Sequence, residues 1–325
     1  MKKVVVCGAG GFIGNHLVKQ LKKNGDWVLG IDLVHPQYGN SSADSFVTGD
    51  LRNPVFVEEV INQPYDELYQ LAADMGGAGY IFTGLNDADI MINSASININ
   101  ILNASRKSGV KKIFFSSSAC IYPQGLQTDN QNPGLKESDA YPADPDSEYG
   151  WEKLFSERLF MAHRNCHSMD IKIARYHNVF GPFGVFDGGK EKAISAICRK
   201  VAMANNGDII EIWGTGKQMR SFLFIDECIE GTLKFMNSIE QGPLNIGSDE
   251  MISIEDLTKM VIEISGKNLQ IKYIDGPVGV NGRNSQNDLI FEKLQWKPSL
   301  PLKEGLKTTY KWVSDTIEKA NHPDK

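Results

Sequence analysis

A glycine-rich turn close to the start of the chain constrains its fold more than any other feature. The turn runs Gly8-Ala9-Gly10-Gly11-Phe12-Ile13-Gly14, follows the apolar segment Val4-Val5-Val6-Cys7 and precedes a helical pattern. Glycines at this spacing let the backbone approach a pyrophosphate at the positive end of the following helix. The pattern alone is common, but its position between a strand and a helix predicts a dinucleotide-binding unit.

An acidic residue at the end of the second apolar run extends the predicted dinucleotide site. Asp32 lies 18 residues after Gly14, where its carboxylate can accept hydrogen bonds from a ribose diol. The same carboxylate would repel a 2'-phosphate, so the sequence favours NAD over NADP. Asp50 and Leu51 follow the third run and are placed to contact the adenine, although Asp50 could instead cap a helix. The predicted cofactor contacts in this part of the chain are Gly8, Gly11, Phe12, Ile13, Gly14, Asp32, Asp50 and Leu51.

Short apolar runs alternate with helical patterns up to about residue 175, as parallel βα units require. Strands are predicted near residues 4–7, 27–32, 45–47, 67–70, 112–116 and 171–175, and helices after the glycine turn and over 98–108 and 149–163. The fold class is therefore α/β, with a Rossmann-like doubly wound parallel sheet and a smaller C-terminal α/β substrate domain. Because 221–224 and the helical pattern 226–235 could return to the main sheet, we expect an NAD-binding domain of 1–175 plus about 217–245. The substrate domain then takes about 176–216 plus 246–325.

Composition narrows the range of partners. The chain has 34 basic and 40 acidic residues and a formal charge of -6, so nucleic acid is not an expected partner. Its five cysteines have no paired spacing, which argues against a disulfide framework and against a structural metal site. No apolar stretch reaches the length of a membrane span, and Met1-Lys2-Lys3 leads straight into a strand without a signal-peptide pattern. We expect a cytoplasmic protein with no membrane partner.

Three further residues predict hydride and proton transfer. Tyr149 and Lys153 are four residues apart, so a helix places both side chains on one face, where the ammonium can lower the phenol pKa and hold the nicotinamide ribose. Tyr149 would then act as a base near neutral pH, and Ser118, at the end of an apolar strand, would orient the same substrate hydroxyl. A Tyr-x-x-x-Lys pair alone is weak evidence, but the glycine turn and the strand-end serine strengthen it.

These motifs resemble the extended short-chain dehydrogenase/reductase superfamily of nucleotide-sugar epimerases and dehydratases. Several segments further resemble the GDP-mannose 3,5-epimerase family within it. They include 72–77, 117–123, 135–140, 188–193, 220–222, 225–228, 245–250 and 282–285, and the resemblance spans nearly the whole chain.

The resemblance implies a reaction in which the C4 hydroxyl of GDP-mannose is transiently oxidised by tightly held NAD. The ketone acidifies the hydrogens at C3 and C5, a base and an acid invert those centres, and C4 is reduced again to give GDP-L-galactose, GDP-L-gulose or both. The base matches Cys120 and the acid matches Lys192, while Ser118, Tyr149 and Lys153 serve C4. Members of the superfamily commonly form homodimers.

The expected substrate contacts combine this resemblance with residue chemistry. Arg220 and Arg283 carry guanidinium groups, which bind diphosphate oxygens in pairs. Lys200 would add positive charge, although by itself it is more often half of a surface ion pair. The full predicted set is Gly77, Ser118, Asn178, Lys192, Lys200, Arg220, Arg283 and Ser285.

Other functions remain open at this point. Cys120 by itself would be a small buried apolar residue, and Lys192 part of a solvated charged turn. The substrate could be a related GDP-sugar such as GDP-manno-heptose, or the enzyme a nucleotide-sugar 4-epimerase or 4,6-dehydratase. A dinucleotide-binding module without catalysis is a further class, but it would not need Ser118, Tyr149 and Lys153.

Overall fold

Parallel strands and helices alternate through most of the molecule in the computed structural model, which describes residues 1–321. The strands are β1 (Lys3–Cys7), β2 (Trp27–Asp32), β3 (Ser45–Thr48), β4 (Glu67–Gln70), β5 (Lys112–Ser118), β6 (Asp170–Tyr176), β7 (Val179–Phe180), β8 (Ile209–Trp213), β9 (Met219–Ser221), β10 (Leu223–Phe224), β11 (Leu244–Ile246), β12 (Met251–Ser253), β13 (Gln270–Ile274) and β14 (Gly282–Arg283). The helices are α1 (Phe12–Lys23), α2 (Pro54–Val60), α3 (Ala78–Ile81), α4 (Asp87–Ser108), α5 (Glu148–His167), α6 (Ala193–Met203), α7 (Ile225–Met236), α8 (Ile254–Ser265), α9 (Asp288–Leu294) and α10 (Leu302–Asn321).

Seven strands form one parallel sheet in the order β11-β6-β5-β4-β1-β2-β3. Its strands are apolar on both faces because helices cover both sides. In β1, for example, Val4 and Val6 join one core and Val5 and Cys7 join the other. The predicted Rossmann-like fold class is confirmed, and the six predicted strands lie within a few residues of their observed bounds.

The last strand of the main sheet is not the segment that the sequence suggested. The segment 221–224 does not join the main sheet; its residues belong to β9, which pairs with β12 and β14, and to β10, which pairs with β7. The chain returns instead through α7 and β11, which lies beside β6. A helix between two parallel strands is the usual crossover, whereas 221–224 lacks the length to cross back before α7 begins.

The chain order places the glycine turn at the centre of the sheet. Strand order reverses between β1 and β4, and ligands of such sheets bind outside the carboxyl ends of the strands at this reversal. The turn after β1, the end of β5 and the first turns of α5 all lie at this edge. Residues of α6, of the start of α8 and of the short strands β7, β8, β9 and β14 line the cavity from the other side. Within residues 1–321, no helix is both long and apolar enough to cross a membrane.

Candidate functional site

One large cavity of about 1350 Å³ lies along this edge of the sheet. Its volume exceeds the 300–1,000 Å³ that is typical for one drug-sized ligand, so it can hold a cofactor and a substrate together. It brings together every predicted site residue except Ser285. The predicted residues that line it are Gly8, Gly11, Phe12, Ile13, Gly14, Asp32, Asp50, Leu51, Gly77, Ser118, Cys120, Tyr149, Lys153, Asn178, Lys192, Lys200, Arg220 and Arg283.

The N-terminus of α1 fits a pyrophosphate. Gly11 precedes the helix, no side chain caps its first amides, and no acidic residue lies in its first turn. Unpaired amides at the positive end of a helix bind anions. Gly8 has a φ of 84°, and a Cβ at Gly14 would collide with the Gly8 carbonyl oxygen, so both positions require glycine for this close turn.

Two carboxylates flank the glycine turn. Asp32 accepts a hydrogen bond from the Gly10 amide at 2.9 Å, which ties the end of β2 to the turn that it faces. Asp50 accepts several hydrogen bonds from Arg52, and these hold the pKa of its carboxyl below the usual value. Asp50 does not cap α2, because Asn53 does so. These positions at the cavity wall fit contacts to the ribose and the adenine of NAD.

Helix α5 carries Tyr149 and Lys153 into the cavity. Ser147 caps the helix by accepting a hydrogen bond from the Gly150 amide. A Cβ at Gly150 would collide with the Cys120 carbonyl oxygen, so this glycine lets α5 pack directly against the turn that follows β5. Lys153 lies with Nζ 5.8 Å from the centre of the Tyr149 ring and donates a hydrogen bond to the Ser116 carbonyl oxygen.

The protein's own residues raise the pKa of Tyr149, whereas the sequence predicts that Lys153 lowers it. Burial raises the pKa of the Tyr149 phenol far above its usual value, Cys120 raises it further, and the Ser118 hydroxyl opposes the rise. Burial also lowers the pKa of Lys153, against the opposing charge of Glu152. Desolvation therefore disfavours the charged form of both side chains.

Cys120 lies beside a guanidinium that the sequence suggested for another role. The Ser118 hydroxyl accepts a hydrogen bond from the Cys120 amide and starts the short helical turn 119–121 that presents the sulfur. Arg283 Nη1 donates to Cys120 Sγ at 3.0 Å, and Arg283 also bonds to Asp146 and Gln127. A cation that donates to sulfur stabilises a thiolate. Arg283 is therefore engaged at the sulfur and at Asp146, and its contact with the diphosphate stays a prediction.

Lys192 lies across the cavity at the N-terminus of α6. Burial lowers the pKa of its ammonium, while the nearby Cys120 and Cys228 sulfurs oppose this. A lysine with a lowered pKa is a better proton donor near neutral pH. The backbone next to it packs against Gly77, where a Cβ would collide with the Glu191 carbonyl oxygen.

Arg220 provides positive charge and has no carboxylate partner within residues 1–321. Its guanidinium donates to the backbone carbonyl oxygens of Met219, Val278, Val280 and Asn281. Burial and the neighbouring Arg283 lower its pKa to about 10, while Asp146 and Cys120 act against them. Such a charge fits an anionic ligand. Lys200 donates to the Glu211 carbonyl oxygen, and Asn178 donates to that of Ser221.

Comparison with known proteins adds sequence evidence. A model of the NAD dependent epimerase/dehydratase family matches residues 4–247. The chain is 45% identical over 322 residues to the GDP-mannose 3,5-epimerase of Arabidopsis thaliana. The aligned region covers 98% of this chain and 83% of that protein. It is 43% identical over 319 residues to GDP-mannose 3,5-epimerase 1 of Oryza sativa subsp. indica, with the same coverage. The chain belongs to the NAD-dependent epimerase/dehydratase family.

Solved structures of epimerases share the fold of this family member. UDP-glucose 4-epimerase of Thermotoga maritima matches with a TM-score of 0.86 at 24% identity, over 97% of this chain and 99% of that one. UDP-glucuronic acid 4-epimerase of Bacillus cereus, solved with UDP-glucuronic acid and NAD, matches with a TM-score of 0.83 at 26% identity over the same shares. The predicted family, its use of NAD and the resemblance to GDP-mannose 3,5-epimerases are confirmed.

One predicted substrate contact, Ser285, does not line the cavity of this epimerase-family protein. Ser285 is buried and donates to Asn287 Oδ1, so its hydroxyl is used within the fold. His177 is buried, contacts Asn245, and has its pKa lowered by burial to about 3, so it stays neutral.

Sequence reasoning missed several residues of the site. Asp146 and Gln127 hold Arg283, and Gly150 brings α5 against Cys120. Asp74 and Tyr80 contact the loop before Lys192. Only Gly150, next to Tyr149, carried a local signal, because the other contacts join segments far apart in the chain.

Proposed function

We propose that the protein is a GDP-mannose 3,5-epimerase, and that Cys120 and Lys192 are its base and acid. The observation that carries the proposal is that a cysteine with a guanidinium at 3.0 Å from its sulfur lines the same cavity as Lys192 and Tyr149. A simple 4-epimerase needs the tyrosine and the lysine of α5 but has no use for a thiolate. The identity of 43–45% to two proteins named GDP-mannose 3,5-epimerase supports the same reaction.

Tyr149 and Ser118 handle the C4 oxygen. Tyr149 accepts the hydroxyl proton as the C4–H bond breaks, and it returns that proton when C4 is reduced. Ser118 donates a hydrogen bond to the same oxygen and orients it, while Lys153 holds the nicotinamide ribose. NAD, when bound, accepts the C4 hydride and gives it back, and its cationic ring favours the phenolate that burial otherwise opposes.

Cys120 and Lys192 invert the carbons next to the ketone. The Cys120 thiolate removes the proton at C5 or C3, and the electron pair of that C–H bond moves into the enolate. Lys192 then donates a proton to the opposite face of the same carbon. Both groups exchange their protons with water between turnovers, so hydrogen from solvent enters the sugar. The net reaction is an isomerisation, and no oxidant is consumed.

Arg220 and Lys200 hold the nucleotide diphosphate. Arg220 has only carbonyl partners among residues 1–321, so an anionic group would complete its bonds. Lys200 lines the same cavity. We assign these residues, with Asn178 and Gly77, to substrate binding. The domain division is proposed as residues 1–175 plus about 217–245 for NAD, with the remainder for the GDP-sugar. Strands β9 and β10 are the exception, because they pair with β7, β12 and β14 of the substrate part.

A homodimer and a cytoplasmic location complete the proposal. Helices α4 and α5 pack side by side and leave Ile92, Ile99, Trp151 and Phe155 exposed by 40–64%. Apolar side chains on two adjacent helices suit a second copy of the same helix pair. All five cysteines are free thiols, as a reducing compartment permits.

Product analysis tests the proposed reaction. The purified enzyme is incubated with GDP-mannose in deuterium oxide, and the products are followed by NMR, with UDP-glucose as the matched control substrate. We expect GDP-L-galactose or GDP-L-gulose with deuterium at C3 or C5, and no conversion of UDP-glucose. A product inverted at C4 without deuterium would instead identify a 4-epimerase, and a 6-deoxy product a dehydratase. Turnover of GDP-manno-heptose alone would move the substrate to that sugar.

A further inference from the structure

Three side chains form a cluster at the cavity mouth that the proposed reaction does not use. Lys190 Nζ lies 3.2 Å from Asp74 Oδ1 and 4.0 Å from the centre of the Tyr80 ring. The Tyr80 hydroxyl donates to the same Asp74 oxygen at 2.9 Å. We call Lys190, Asp74 and Tyr80 the latch. One ammonium is therefore held by both an ion pair and a cation–π contact.

One side of the latch is anchored to helix α4. Asn93 in α4 donates to Asp74 Oδ2 at 2.9 Å, and the Asp74 amide donates to Ser94 Oγ at 3.0 Å. Burial alone would raise the pKa of Asp74, but hydrogen bonds from Asn93 and Tyr80 and the charge of Lys190 lower it below its usual value. Asp74 is thus an ionised, fixed partner for the lysine.

The other side of the latch belongs to the loop that carries Lys192. Gly188 and Gly189 have φ values of 93° and 88°, and a Cβ at either would meet open space, so the loop has little packing of its own there. The Gly77 amide donates to the Lys190 carbonyl oxygen at 3.1 Å. Arg199 adds a contact to Glu191 at 3.3 Å. Lys190 is the point at which this loop is joined to the segment that contains Asp74 and Tyr80.

We propose that the latch positions Lys192 and that Lys190, Asp74 and Tyr80 are positioning residues for proton donation to the sugar. Lys190 is two residues before Lys192, and both belong to the loop that runs from Gly188 into α6. This inference rests on the proposed function of Lys192. A displacement of a reacting group by about 1 Å can cost on the order of 100-fold in rate. A small movement of the loop would therefore slow proton donation by Lys192.

Lys190→Met is the informative variant, because it keeps the length and the apolar stem of the side chain and removes the charge. We expect deuterium incorporation at C3 and C5 to fall about tenfold or more, while C4 oxidation, read as absorbance of reduced nicotinamide, stays within about twofold of wild type. Lys190→Arg should restore most of the exchange, since a guanidinium pairs with a carboxylate and stacks on a tyrosine. Lys107→Met is the matched control, because Lys107 pairs with Glu58 on α2, away from the cavity.

A second readout needs neither substrate nor turnover. Amide hydrogen exchange of the peptide that covers 186–193 is measured in the substrate-free protein. In Lys190→Met it should be about tenfold faster than in wild type, and in Lys107→Met unchanged.

The outcomes separate the latch from the proposed function. If wild-type enzyme gives no deuterium exchange on GDP-mannose, the proposed function fails, and the hydrogen-exchange readout alone judges the latch. If wild type does turn over, faster amide exchange together with a selective loss of C3 and C5 exchange supports the inference. Equal amide exchange in Lys190→Met and Lys107→Met overturns it, as does an equal loss of C4 oxidation and carbon exchange, since a positioning residue for Lys192 would spare the C4 step.

Discussion

Burial and neighbouring charges determine what each side chain of the site can do. Tyr149, Lys153 and Lys192 all have their charged forms disfavoured by desolvation. Cys120 differs from these three in its contacts, because Arg283 donates directly to its sulfur. In the proposed mechanism, Cys120 as the base has a cation at its sulfur, and Lys192 as the acid has a lowered pKa.

The lowered pKa of Lys192 predicts a pH dependence. An acid must be protonated to act, so exchange at C3 and C5 should fall as the pH rises through the pKa of Lys192, at a pH below the usual lysine value of 10.5. Lys153, also buried, affects the C4 step and therefore both rates. In Lys192→Arg we expect a loss of about 100-fold in exchange and a basic limb that coincides with that of C4 oxidation.

The check is a pair of pH profiles, one for deuterium incorporation and one for reduced nicotinamide, in wild type and in Lys192→Arg. If the two wild-type profiles coincide on the basic side, Lys192 is not the acid whose titration limits exchange.

At the scale of a single element, helix α6 positions Lys192, the proposed acid. It begins directly after Lys192, and its other end is closed by Lys267, whose Nζ donates to the carbonyl oxygens of Val201, Ala202 and Ala204 at 2.7–2.8 Å. A cation at a helix C-terminus pairs with carbonyls that the helix leaves unbonded. The position of Lys192 thus depends on contacts at both ends of one helix.

Lys267→Met should lower the free energy of unfolding by about 1–2 kcal/mol, since three charged hydrogen bonds to the helix end are lost. Lys303→Met removes a surface ion pair with Glu263 and should change it by less than about 0.5 kcal/mol. Urea unfolding of both variants makes the comparison. A loss in Lys267→Met no larger than that in the control would contradict the capping role.

How much the sequence predicts depends on how local the signal is. The glycine turn, Asp32 and the Tyr149–Lys153 pair lie within single βα units, so their places in the fold follow from spacing. Strand β11 has only three residues, and no periodicity can be read from so short a run.

The contact of Arg283 with Cys120 joins positions 163 residues apart, and the latch joins Lys190 to Asp74, 116 residues away. Residue type suggested a phosphate ligand for Arg283, whereas the folded chain gives it a sulfur and a carboxylate. The effect of burial on the pKa of Tyr149 could not be predicted either, since burial is a property of the whole fold.

At the scale of the whole molecule, residues from both parts of the chain line the cavity. The exposed surface of α4 and α5 is the proposed contact with a second copy. Trp151 and Phe155 in α5 are exposed by 40% and 49%, and Ile92 in α4 by 64%. The opposite faces of these helices pack against the sheet through Ile101, Leu102 and Phe160. The exposed faces are therefore the ones that could contact a second copy.

The double variant Trp151→Glu with Phe155→Glu should give a monomer with an intact cavity, because two carboxylates would be buried in the proposed interface. Sedimentation velocity measures the change of mass, and Leu85→Glu, at an exposed loop residue, is the control. A double variant that keeps the mass of the wild-type dimer, or a wild type that is monomeric, would contradict this interface.

The central claim is that Cys120 removes a sugar proton after C4 has been oxidised by a separate set of residues. It is tested most directly with Cys120→Ala, mixed with GDP-mannose in deuterium oxide and followed for both reduced nicotinamide and deuterium at C3 and C5. Cys166→Ala, at an exposed cysteine, is the control. We predict that Cys120→Ala still forms reduced nicotinamide while carbon exchange falls by at least about 100-fold. Exchange at a rate near that of wild type would show that another group is the base.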